Sequence, residues 1–286
     1  MRLVRYHATG GARVGVIKGD GVIDLRDAGG PWATMMEIVR GGRDALDRID
    51  AIVARVAPSV ALESLRLMAP IERPGKYLAI GMNYAAHRRE ADKLGIARAQ
   101  RQIWFNKQTS CLSGPFDPID PGVSEQLDYE VELAAIIGAP AKHVSEARAP
   151  DHVFGYVVAN DVSARDWQFH SPTFTMGKSF DTHGPIGPWI VTADEIPDPH
   201  DLNLRCYVNG EKRQDSNTRE MIANLWAQIA YLSTAFTLEP GDLIATGTPE
   251  GVGAAMDPPS YLKPGDVVRC EIDGIGAIEN RVASRR

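Results

Sequence analysis

The stretch LDYEVELAAIIG, residues 127–138, decides how this chain is to be read. Asp128, Glu130 and Glu132 alternate with Leu127, Tyr129, Val131 and Leu133. In a strand, successive side chains point to opposite faces, so the three carboxylates share one face. Neighbours on that face lie roughly 6.6 Å apart along the strand. Two carboxylates at that spacing can converge on one ion; unpaired, they repel each other and resist burial. Hard dications such as Mg²⁺ take carboxylate oxygens, so a metal site accounts for the pattern. The competing reading is an edge strand with a solvated acidic face. The apolar run Ala134–Ile137 argues against it, because an uninterrupted run marks a strand buried on both faces.

A second acid, Asp161, ends another apolar segment, FGYVVAN (154–160). A polar cluster surrounds it: Ser163, Arg165, Asp166 and Gln168. Taken alone, Asp161 reads as a helix N-cap with Ser163–Asp166 as the first turn. The alternative is a ligand of the same ion.

The chain has 286 residues, 44% hydrophobic and 24% charged, which is ordinary for a globular protein with a sizeable core. Its formal net charge of -6 argues against a phosphate-backbone binder, which needs a basic face. Cys111, Cys206 and Cys270 are widely spaced and form no CxxC pair, so neither a zinc ribbon nor a disulfide framework is expected. The opening MRLVRYHATGG lacks the apolar run of a signal peptide, and no stretch is long and apolar enough for a membrane span. The expectation is a soluble, cytoplasmic protein.

Residues 1–70 read as a small N-terminal α+β unit. RLVRYHA, RVGVIKG and GVIDL alternate as strands, and a helix follows from about Trp32 to Val56. APIERPGKY, with Pro70 and Pro74, is the expected junction to a second unit, 71–286. KYLAIGMNY then reads as a strand ending at Gly81. His87–Arg101 is charged and helix-prone but thinly apolar, so little would pin it down. Beyond Phe105 the pattern is β-rich. Asn209-Gly210 signals a hairpin, and Pro240-Gly241-Asp242 and Pro264-Gly265-Asp266 each lead into a strand. One further helix is expected from Thr218 to about Leu238.

From about Lys76 to Val282 the chain resembles the fumarylacetoacetate hydrolase family. The motifs that carry this are GMNYAAHRRE, the ExE of DYEVEL, NDVSARDWQ, GKSFDTHGPIGP, LEPGDLIATGTPEGVG and LKPGDVVRCEIDGIGAIEN, in that order. The resemblance implies a mixed β-roll behind a variable N-terminal domain, and a homodimer. It implies that Glu130, Glu132 and Asp161 hold Mg²⁺, or Mn²⁺ in its place, with Asp128 in a supporting role. It makes Lys178, in GKSFDT, an active-site lysine within glycine-bounded strands. Arg165, Gln168 and Thr248 become contacts to substrate. On a helix running on from Asp161, Arg165 and Gln168 would lie on one face with it. His87 and Glu90, at i and i+3 in NYAAHRRE, become a dyad on a lid over residues 84–101. A carboxylate beside an imidazole fixes its tautomer, and such a pair can activate water. His183 lies near Lys178 in sequence and is expected at the pocket's border; the other histidines attract no role.

The activity so implied is metal-dependent hydrolysis of a carbon–carbon bond in a 2,4-dioxo acid, an acylpyruvate. The products would be pyruvate and a carboxylic acid. A sugar-derived diketo acid such as 2,4-didehydro-3-deoxy-L-rhamnonate is one candidate substrate. Within the family, decarboxylation of oxaloacetate or isomerisation of a dienoate through the same metal-bound enolate is the alternative. A non-catalytic binding protein would be expected to lack either the dyad or the acidic triad, and both are present.

Overall fold

A computed structural model describes residues 1–93 and 100–285 of the chain. The N-terminal strands β1 (Arg2–Ala8), β2 (Gly11–Lys18) and β3 (Gly21–Asp24) form an antiparallel meander. Helix α1 (Met35–Val53) follows and leads to the short β4 (Val60–Ala61). It is shorter than the expected Trp32–Val56. Thr34 caps it by accepting from Glu37 N–H, and non-helical backbone at Gly42 kinks it.

After the expected junction come β5 (Tyr77–Gly81), α2 (Ala85–Lys93), β6 (Ile103–Lys107) and β7 (Leu112–Ser113). Of the segment expected to act as a lid, 84–101, the structure describes 84–93 and 100–101; 94–99 lie outside the described residues. The acidic stretch forms two strands, β8 (Leu127–Asp128) and β9 (Val131–Ile137). Next are β10 (Val153–Asn160), β11 (Ser163–Ala164) and two short helical turns, α3 (Arg165–Gln168) and α4 (Thr175–Lys178). The chain finishes with β12 (Gly184–Thr192), β13 (Asn203–Val208), β14 (Glu211–Asn217), α5 (Leu225–Ala235), β15 (Leu243–Ala245), β16 (Val267–Ile272) and β17 (Gly276–Arg281). The architecture is mixed and β-rich.

Helix α5 also falls short of its expected range. Asn224 caps it by accepting from Ala227 N–H, so Thr218–Glu220 forms a separate 3-10 turn and the helix stops before Phe236. The β13–β14 hairpin turns at Asn209-Gly210, as its sequence predicts. Asp242 and Asp266 stiffen the two Pro-Gly-Asp turns, each accepting from the backbone N–H three residues earlier.

The main sheet runs β4-β3-β2-β1-β12-β10-β9-β15-β5-β6, with β7 alongside β12. A four-stranded antiparallel sheet, β14-β13-β16-β17, packs on one face. Strand β9 lies mid-sheet with every residue buried, which rules out the edge-strand reading. Its two faces serve different cores. Leu133, Ala135 and Ile137 meet α5 and the four-stranded sheet, whereas Ala134 and Ile136 meet α1, Tyr77 and Phe105. β1 pairs with β12, so the N-terminal strands extend the same sheet.

Candidate active site

The acids converge where two paired strands part. β9 and β10 are in register up to Val131↔Asn160 and Glu132↔Ala159. Glu130 N–H then donates to Asn160 Oδ1 (3.0 Å), and Asp161 N–H donates to Glu130 O (2.9 Å). Pairing resumes at Ser163↔Asp128 between β11 and β8. Glu130, Glu132 and Asp161 are buried there, with one carboxylate oxygen from each lying within 4.8 Å of the others. Asp161 is thus not the cap of a helix. α3 begins only at Arg165, with Ala164 before it, so Arg165 and Gln168 share no helix with Asp161.

Three cations brace this cluster. Lys178 Nζ donates to Glu130 Oε2 (2.7 Å) and to Asp161 Oδ2 (2.8 Å). It stands at the end of α4, a helical turn rather than the expected strand setting. Arg165 reaches Glu130 Oε1 at 2.7 Å and donates from Nε to Asp128 Oδ2 at 2.9 Å. Asp128 also accepts from the N–H groups of Gly253 and Ala254. The third cation was not foreseen: Lys107, at the end of β6, is fully buried and paired with the other oxygen of Asp161.

Glu132 stands apart. It accepts from Gly247 N–H at 2.8 Å, in the turn of TGTP. Gly247 is needed there twice over: its φ is +96°, and a Cβ would come within 2.7 Å of Asn83 Cβ. Burial, then the Asp161 and Glu130 charges, push the Glu132 carboxyl well above its usual range. Burial would raise Glu130 too, but Lys178 and Arg165 outweigh it and hold its carboxyl at about 2. For Lys178, burial works against the charged form; Asp161 and Glu130 overcome it and keep the ammonium charged.

Counting Asp128, four buried carboxylates face three cations among the described residues, which leaves one ionisable acid over. Glu132 is the acid left without a cation partner, and its raised carboxyl shows how poorly the site accepts that last charge. A dication among the three acids would supply the missing positive charge, and an all-oxygen donor set suits Mg²⁺ or Mn²⁺. The residues therefore fit a metal of that kind.

Above the cluster lies a cavity of about 360 Å³. His87, Glu90, Arg165, Gln168, Lys178 and Thr248 all line it. Of the three acids, Glu130 does so as well, while Glu132 and Asp161 lie outside the lining. On α2, His87 Nδ1 is 3.0 Å from Glu90 Oε2. The other Glu90 oxygen accepts from Gly251 N–H (2.9 Å), which ties α2 to the loop after Thr248. Gln214 of β14 was also unforeseen. Its Nε2 donates to Thr248 Oγ1 (2.8 Å) while its Oε1 accepts from Val131 N–H (3.0 Å). With the hydroxyl oxygen accepting, the Thr248 proton is directed elsewhere. Arg165 Nη1 donates to Gln168 Oε1 at 2.9 Å, so these two act as a pair. His183, expected at the border, is instead buried against Phe180, with Nε2 2.9 Å from Asp120 O.

A β-rich fold whose strands part around buried acids, beneath a cavity holding a His–Glu pair, defines a class of enzyme active site. The family model described as "Fumarylacetoacetate (FAA) hydrolase C-terminal" matches residues 76–283. The chain belongs to this family. It is 44% identical to the mitochondrial oxaloacetate tautomerase fahd2 of Xenopus laevis, over 99% of this chain and 90% of that protein. The solved fumarylacetoacetate hydrolase of Exiguobacterium antarcticum is 38% identical, with a TM-score of 0.83 and full coverage of both chains. Maleylpyruvate hydrolase of Sphingobium sp. SYK-6, solved with manganese(II) and pyruvate, is 34% identical, again with a TM-score of 0.83 over both whole chains. Among the described residues, no helix is long and apolar enough to cross a membrane.

Proposed function

We propose that the protein is a metal-dependent hydrolase that cleaves an acylpyruvate into pyruvate and a carboxylic acid. The observation that carries this reading is the His87–Glu90 pair facing the same cavity as Glu130 and Lys178. Glu90 accepts from Nδ1 and so fixes the imidazole tautomer, which leaves Nε2 as the nitrogen that takes a proton. Water loses that proton to His87 and adds to the 4-carbonyl carbon. Collapse of the tetrahedral adduct breaks the C3–C4 bond, giving the acid and the enolate of pyruvate. His87 returns its proton to C3. The Lys178 ammonium, kept charged by Asp161 and Glu130, stabilises the negative charge as it develops on the enolate. The Thr248 hydroxyl, oriented by Gln214, and the Arg165–Gln168 pair hold the substrate's pyruvyl end. Glu130, Glu132 and Asp161 would hold Mg²⁺ or Mn²⁺, which when bound supplies Lewis-acid stabilisation of the same charge. The proposal includes a homodimer in the cytoplasm.

The likeness to a relative named oxaloacetate tautomerase favours a second reading: isomerisation or decarboxylation through an enolate, with no hydrolysis. It would use His87 as a carbon acid–base and need no attacking water. One assay separates the two. A panel of acylpyruvates, with and without chelator, is expected to release pyruvate only when a dication is present. Loss of CO₂ or enol–keto exchange with oxaloacetate, with no pyruvate released from any acylpyruvate, would overturn the hydrolytic reading.

A further inference from the structure

Building on the hydrolytic reading, we propose that the substrate's acyl end is uncharged and apolar, and that Phe105, Phe169, Phe174 and Tyr261 select it. The cavity has two chemically distinct ends. At one, Lys178 and Arg165 meet the acids. From there a line of aromatic rings leads outward. Lys178 Nζ sits 5.2 Å over the Phe105 ring. Phe105 meets Phe174 edge-on, with centroids 5.9 Å apart, and Phe174 meets Phe169 the same way at 5.7 Å. Phe169 is 60% exposed and forms the outer end of the line. Val252, Pro259 and Tyr261 also line the cavity.

Charge points the same way. Each cation among the described lining residues already has a carboxylate partner. Lys178 holds Glu130 and Asp161, and Arg165 holds Asp128 and Glu130; the neutral His87 imidazole is already engaged by Glu90. A second substrate carboxylate, such as maleylpyruvate or oxaloacetate carries, would enter an aromatic channel where no described lining residue offers it a free cation. Unpaired burial of a carboxylate is strongly unfavourable, whereas burial of methylenes against rings is favourable. Phe174 adds an independent sign. Its φ of 59° is left-handed, which a bulky residue rarely adopts, and strained backbone of this kind gathers at binding sites. This conformation sets the ring between Phe105 and Phe169, immediately before the turn that carries Lys178.

The test uses full-length protein loaded with Mn²⁺ and two substrates of matched length, 2,4-dioxononanoate and 2,4-dioxononanedioate. Pyruvate release gives kcat/KM for each. Calorimetry with 2-oxononanoate and 2-oxononanedioate, which lack the 4-carbonyl, gives binding without turnover. The monoacid is expected to win by about tenfold or more in both, a gap worth roughly 1.4 kcal/mol. Phe169→Arg, at an exposed position that does not threaten the fold, is expected to narrow or invert the gap. Phe105→Ala is expected to weaken binding of the monoacid more than of the diacid. Equal or tighter binding of the diacid by the unaltered protein would overturn this proposal. If neither dioxo acid releases pyruvate, the hydrolytic reading falls, and the binding ratio still decides the question of the acyl end.

Discussion

In the floor beneath the cavity, Glu132 lies on β9 in the middle of the sheet, and Glu130 and Asp161 lie just past the paired ends of β9 and β10, joined by the Asp161 N–H to Glu130 O hydrogen bond. On the segment proposed as a lid, His87 and Glu90 stand on α2, where none of the described side chains from Ala85 to Glu90 is buried. Floor and lid carry parts of one proposed reaction, yet they are held by opposite means. The floor keeps like charges together by interleaving Lys107, Lys178 and Arg165 among them, in a setting that excludes water. Charges there cost no reorganisation when the substrate's own charge develops. The lid is held by polar contacts, chiefly the Glu90–Gly251 hydrogen bond and the bridge from Tyr84 to Met221. Contacts of that kind break and re-form cheaply, which suits a segment that admits substrate. Gly251 shows how closely the lid's anchor is built. Its φ is +97°, and a Cβ there would lie 2.0 Å from Arg213 O.

If that contrast is right, substitutions in the lid change catalysis and spare the fold, while those in the floor change both. His87→Ala should lower kcat by about 10²–10⁴, the usual contribution of a positioned acid–base group. Its melting temperature should stay within about 2 °C of the unaltered protein, as for a surface substitution. Full turnover in this variant would remove the dyad from the mechanism; a large drop in melting temperature would show that the lid bears structural load.

Lys107→Met tests the floor. Removing one partner of a buried ion pair leaves Asp161 short of a counter-charge, at a cost of about 4 kcal/mol. Urea denaturation should show this as a shift in midpoint without a change in slope. A shift comparable to that of a surface lysine would mean that Lys178 alone satisfies Asp161.

The unequal legibility of the two regions has the same physical origin. Alternation in 127–133 placed the acids on one face, because period two is a property of any strand. The run Ala134–Ile137 marked burial on both faces. What sequence could not give was which cations answer those acids, since such partners arrive from distant segments. Lys107 did leave a trace: Ile103, Phe105 and Lys107 share one face of β6, so the lysine occupies an inward position. Gln214 left none, because β14 reads EKRQDSN and nothing in it marks one residue as buried. Helix ends were missed where Thr34 and Asn224 cap later than the apolar pattern begins.

Acid sharpens the contrast by a smaller amount. His183 lies in the framework beside the floor, and burial pushes its pKa down to about 4 from the ordinary 6.5. The unfolded chain therefore binds this proton near pH 6.5, and the folded protein only near pH 4. Between those values the unfolded state holds more protons, so the stability due to this group falls as pH drops. The full loss is about 3 kcal/mol by pH 4. His183→Gln should lose less stability than the unaltered protein between pH 7 and pH 4. Parallel pH profiles would show that His183 is protonated in the folded state.

Glu132 should yield the smallest effect and the most informative sign. In the metal-free protein its carboxyl is buried beside two other acids, with one backbone N–H as its hydrogen-bond donor. Glu132→Gln keeps the shape and the acceptor for Gly247 and removes the charge. In chelator at pH 8, where ionisation of a buried acid is most costly, the variant should be the more stable by about 1–2 kcal/mol. Adding Mn²⁺ at 100 times its dissociation constant should then stabilise the unaltered protein by about 2.7 kcal/mol. The variant, with one of three acids gone, should gain much less, so the order of the two melting temperatures reverses. Reversal requires both that Glu132 is a liability without the ion and that the ion is what it serves. A variant that is less stable in chelator would show that Glu132 is satisfied by the protein alone, and the case for a dication at this site would lose its electrostatic ground.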